Sequence, residues 1–103
     1  MNEKDKPAYP IWVLFKTQYE DVFDYKEADN DGGRILLVFS SHDLASSFAS
    51  KYAHDYRAIT FDTKELQTDF FKRRATAGVN RIAINPSSLA NLPEVQPIGL
   101  FTQ

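Results

Sequence analysis

The sequence predicts a small α/β domain, a mixed sheet with an early antiparallel hairpin and two main helices; an α+β arrangement of the same elements fits the pattern too. Three observations carry this expectation. The continuous apolar runs IWVLF (Ile11 to Phe15) and ILLVF (Ile35 to Phe39) have the composition of buried strands. A helical apolar stripe follows the second run directly. Strand-like and helix-like segments then alternate as far as Ile84, the order that crossover connections produce. At 103 residues the chain fits one domain spanning 1–103, with residues 1–9 a flexible lead-in.

Each element has its local reason. After IWVLF, residues Val22, Phe23 and Tyr25 suggest a half-exposed second strand. Asp29-Asn30-Asp31-Gly32-Gly33 is a turn signal, because Asn, Asp and Gly tolerate positive φ. Residues 22–39 therefore read as a hairpin. The helix from about Asp43 to Ala53 carries Leu44, Ala45, Phe48, Ala49, Tyr52 and Ala53 on one stripe, with serines and Lys51 on the other side. Ser40 or Ser41 caps it, and Asp43 suits the positive end of its dipole.

YRAITFD (Tyr56 to Asp62) is the next strand. Asp62 or Thr63 caps a second helix, and Asp62-x-x-Glu65 resembles a capping box. That helix carries Leu66, Phe70, Phe71 and Ala75 and ends at Gly78, placed as its C′ residue. Val79 to Asn85 alternates as a short strand closed by Asn85-Pro86. Ser87 or Ser88 is placed to cap one helical turn through Asn91. The tail has two prolines, and leaves Ile98, Leu100 and Phe101 as an edge strand.

Composition narrows the function classes. The chain has no cysteine, which removes disulfides, thiol nucleophiles and thiolate metal sites. Neither apolar run approaches the ~20 residues that cross a bilayer, and MNEKDKPAYP lacks the apolar core of a signal peptide. A cytoplasmic protein of bacterial type, without a membrane partner, is the simplest expectation. Net charge is −2, with −4 in residues 1–33 and +2 in residues 34–103. That mild asymmetry gives no clustered basic face for nucleic acid.

The chemistry candidates read as structure. Ser41, His42 and Asp43 are consecutive at a helix start, so they cannot converge as a hydrolase triad, and no Gly-x-Ser-x-Gly elbow surrounds them. His42 and His54 stand at opposite ends of one helix, too far apart to share an ion. Glu27-x-Asp29-x-Asp31-Gly32 copies half of an EF-hand loop, but the eighth and twelfth positions are Arg34 and Val38. Lys72-Arg73-Arg74 lies where cations complement a helix C-terminus, with Asp69 paired to Arg73 at i+4. No phosphate-cradling loop, cofactor motif or metal set is present.

The run from Leu37 to Pro86 resembles the N-terminal domain of the SseB family, bacterial proteins named for enhanced serine sensitivity. The residues that carry the likeness are LVFSSHDLASSFA, ITFDTKELQTDF and AGVNRIAINPSS, about half of the chain. The resemblance implies a compact α/β domain of the bacterial cytosol and brings no catalytic residues to transfer.

The expectation is a non-enzymatic interaction domain, an accessory or regulatory protein whose partner is another protein or its own copy. Its surface would include the aromatic Tyr19, Phe23 and Tyr25 and the terminal Ile98, Leu100 and Phe101. The alternative is a small-ligand or anion-binding domain using the helix N-termini at Ser41, His42 and Thr63.

Overall fold

Alternation of apolar residues and well-placed caps produce the elements in this order: β1 (Ile11–Tyr19), β2 (Val22–Tyr25), β3 (Glu27–Asn30), β4 (Gly33–Val38), α1 (His42–Tyr52), β5 (Arg57–Phe61), α2 (Lys64–Thr76), β6 (Val79–Ile84) and β7 (Val95–Pro97). A 3₁₀ turn, Ile98–Phe101, follows. This computed structural model describes residues 10–19, 22–30, 33–61, 63–89, 92 and 95–102, with backbone alone at 17–19, 22–24 and 30. The lead-in 1–9, the centre of the turn at 31–32, Asp62, and Asn91 lie outside the described residues.

Two sheets share one seam. The first has the order β2-β1-β5 and the second β3-β4-β6-β7. β3 and β4 form the antiparallel hairpin, with Glu27 opposite Leu36 and Asn30 opposite Gly33. β2 departs from that expectation, because it pairs with β1 and not with β4. Lys26, between β2 and β3, is the pivot: its N–H donates to the Leu14 carbonyl at 2.8 Å and its carbonyl accepts from the Leu37 N–H at 3.2 Å. At the other end β1 and β4 meet directly, Trp12 and Phe39 exchanging two 2.8 Å bonds in an antiparallel bridge. β4 and β5 are both antiparallel to β1 and so point the same way, and β6 runs parallel to β4. The mixed α/β class is the one the alternating pattern predicts.

Alternation along the strands sends successive side chains to opposite faces. Leu14, Ile35, Leu37, Phe39 and Ala83 pack with Ala45, Phe48 and Ala49 of α1. Ile11, Val13, Leu36, Val38, Val79 and Ile82 pack with Phe70 and Phe71 of α2. The helices therefore cover opposite faces of the sheet, as two right-handed crossovers running in opposite directions require. Each is capped as the sequence suggests: Ser41 Oγ accepts the Leu44 N–H and Thr63 Oγ1 the Leu66 N–H, both at 3.2 Å. Thr63 is the cap, so the third position beyond it is Leu66; the capping box expected from Asp62 lies outside the described residues. Gly78 holds the positive φ, +107°, expected of a C′ residue.

Further details differ from the sequence expectation. Leu44, Tyr52 and Leu66 are exposed, and the place expected of Leu66 inside α2 goes to Gln67, whose Nε2 donates to the Phe61 carbonyl at 2.9 Å. Ser87 and Ser88 lie in bends, not at a helix cap. The tail forms β7 and then the 3₁₀ turn, not an edge strand through Ile98, Leu100 and Phe101. In a 3₁₀ turn i and i+3 eclipse, so Ile98 and Phe101 enter the core together, 4% and 8% exposed, while Leu100 is half-buried.

Arg34 ties the hairpin to the end of α2. Its Nε and Nη2 donate to Glu27 Oε1 and Oε2 at 2.8 and 3.0 Å, and its Nη1 donates to the Ala77 carbonyl at 2.7 Å. This planar fork is beyond a lysine. Arg34→Lys is expected to lower stability by about 1 kcal/mol in urea denaturation. An unchanged midpoint would show that the fork contributes nothing net.

Candidate functional site

The parallel strands deliver their carboxyl ends to one edge of the sheet, the place where open α/β sheets tend to bind ligands. Here Asn85 bridges that edge to Ser40. Its backbone is left-handed, φ +52°, a conformation that Asn tolerates. Its Oδ1 accepts the Ser40 N–H at 2.9 Å, its Nδ2 donates to Ser40 Oγ at 3.1 Å, and its own N–H donates to the Val38 carbonyl at 2.8 Å. The hydroxyls of Ser41 and Thr63, candidates for anion binding, are both engaged on their own helices. His42 packs edge-on to Trp12, with ring centroids 5.0 Å apart.

His42 and His54 nevertheless belong to one surface. His42, Ser46 and Ser50 follow at intervals of four along α1, and His54 stands in the turn just past its end. With Ala49, Tyr56, Arg57 and Ala58 they line a shallow groove of about 380 Å³ between α1 and β5. Ser46 Oγ lies 3.3 and 3.4 Å from the two ring nitrogens of His42. Tyr56 on its rim carries two cations over its ring, Lys16 Nζ at 5.0 Å and Lys26 Nζ at 5.3 Å from the centroid. Glu27, the first position of the EF-hand-like motif, has its carboxylate taken by Arg34.

A second groove, about 440 Å³, lies on the α2 face. Tyr25, Phe61, Leu66 and Phe70 supply apolar and aromatic surface, and Asp69, Arg73 and Arg74 supply charge. The Phe61 and Phe70 rings stack at 4.5 Å, and Tyr25 meets Phe70 edge-on at 4.9 Å. The Arg74 guanidinium sits 4.8 Å over the Tyr25 ring, and Arg73 Nη2 pairs with Asp69 Oδ2 at 2.9 Å. Of the six residues expected to form an interaction surface, four have described side chains, and among these Tyr25 lines this groove. The side chains of Tyr19 and Phe23 lie outside the described residues, and Ile98 and Phe101 are core. Phe61 and Leu66 were legible only as strand and helix residues, and Arg74 only as part of the basic run Lys72 to Arg74.

Both grooves reach β5, and β5 is a sheet edge. Trp12 and Leu14 turn their backbone groups away from β5, toward Phe39 and Lys26. Strand polar groups alternate from side to side, so Ile11, Val13 and Phe15 face β5. Their register partners Phe61, Ile59 and Arg57 therefore face β1, while Ala58 and Thr60 turn their N–H and C=O groups to the open side. Among the described residues β5 pairs with β1 alone. Among those residues no strand pairs with its outer edge.

No helix among the described residues is long and apolar enough to cross a membrane. No protein-family model matches the chain, and no curated protein matches it.

Proposed function

We propose that this chain is a non-enzymatic interaction domain of the bacterial cytosol, an accessory or regulatory protein that takes an extended segment of another polypeptide along β5. The carrying observation is the outward-facing backbone of Ala58 and Thr60 on an edge strand with a groove on each face. An unpaired edge is a template for strand addition, in which backbone bonds supply affinity and flanking pockets select side chains. The likeness of Leu37 to Pro86 to the SseB family supports the same reading, since that family brings no catalytic set.

Thr60→Pro tests it. Proline removes the outward N–H and blocks a new ladder, at the cost of the 2.7 Å bond from Thr60 Oγ1 to the Ile11 carbonyl. Wild-type and Thr60→Pro baits, both verified as folded, are expected to differ by one stoichiometric protein retained from bacterial cytosol by wild type alone. Identical retention by the two baits would remove β5 as the docking edge.

A further inference from the structure

Building on that interaction reading, we infer that the segment β5 receives is acidic and extended, alternating Asp or Glu with large apolar residues. The periodicity comes from the strand itself. A chain added to the edge presents successive side chains to opposite faces of the sheet. On the α1 face it meets a polar groove of His42, Ser46, Ser50 and His54, with Arg57 at its end. Hydroxyl and imidazole donors suit a carboxylate. On the α2 face it meets Phe61, Leu66 and Phe70, which suit an apolar side chain, with Arg73 and Arg74 alongside.

Charge favours an acidic partner. Of the charged side chains lining the two grooves, Arg73 and Asp69 pair with each other, which leaves Arg57 and Arg74; Asp43 stands 3.9 Å from the His42 ring. Lys16 and Lys26 add positive charge beside Tyr56. Like charges across an interface oppose association, so pairing β5 with β5 of a second copy would set these cationic rims against each other. An acidic segment of a different protein meets no such opposition.

The probe is a short synthetic peptide of alternating Glu and Leu, titrated into the nitrogen-15-labelled 103-residue chain. Saturable shifts are expected on the Ala58 and Thr60 amides, with slowed exchange of their protons. Replacing Glu by Lys in the peptide, or making the exposed double variant Arg57→Glu/Arg73→Glu, is expected to weaken binding about tenfold or more, equivalent to about 1.4 kcal/mol. Shifts confined to other residues, or equal binding of the Lys peptide, would overturn the inference. So would self-association in sedimentation velocity that Thr60→Pro abolishes, because the occupant would then be a second copy. If no Glu-Leu binding occurs while a Thr60→Pro bait still loses its captured protein, the acidic pattern falls and the docking edge survives. If both experiments fail, both readings fall.

Discussion

The double variant Ile98→Asp/Phe101→Asp is expected to lose its cooperative thermal transition. Both side chains sit inside the cluster formed by β1, β4, β6 and α2, and the Phe101 ring lies 5.7 Å from that of Phe71. Removing a buried isoleucine or phenylalanine typically costs about 2–5 kcal/mol each. An unpaired carboxylate in the same space adds a desolvation penalty of several kcal/mol, or protonates and leaves an unsatisfied acid. A domain of this size holds only about 5–15 kcal/mol in total, so the two changes together consume most of it. Gly99→Ser is the matched control. A Cβ at Gly99 meets no atom within 4 Å, and the residue is exposed, so its melting temperature should stay within a degree or two of wild type. A cooperative melt of the double variant near the wild-type temperature would place this turn outside the core. It would also restore Ile98 and Phe101 as a surface for partners.

That case marks the boundary of what the sequence discloses. Ser41, Thr63 and Gly78 were readable because caps and left-handed turns depend on residues within a few positions of one another. The strand and helix segments were readable because their periods are local too. The pairing of β2 with β1 was not, since it turns on Lys26 bonding both to Leu14 and to Leu37 across the seam. The edge position of β5 was equally hidden, because strand order is a long-range outcome that no short motif encodes. In the tail, Ile98, Leu100 and Phe101 fit a strand and a 3₁₀ turn alike; tertiary packing chose the geometry that puts the first and last of them on one side. The grooves follow the same logic. The four-residue spacing of His42, Ser46, Ser50 and His54 is visible in the sequence, yet their meeting with Tyr56 and Arg57 requires the fold.

The second large effect is expected at Phe71. It is 1% exposed, packs against the Phe70 and Phe101 rings, and belongs to the face of α2 that meets the sheet. Phe71→Ala should lower stability by about 3–5 kcal/mol, measured as a reduced urea midpoint with an unchanged slope. Leu66→Ala, one turn and a half earlier on the same helix, removes comparable chemistry from a residue that is 52% exposed, and should change stability by no more than about 0.5 kcal/mol. Apolar character alone would treat the two residues alike. The difference arises because Gln67 occupies the inward position beside Leu66 and satisfies the Phe61 carbonyl, which rotates Leu66 out to the groove. A leucine retained at an exposed place that contributes little to folding is available for contact. Leu66→Ala is therefore expected to weaken the Glu-Leu peptide while Phe71→Ala acts through stability. A strong loss of stability at Leu66 with none at Phe71 would reverse the orientation of α2, and with it the groove that flanks β5.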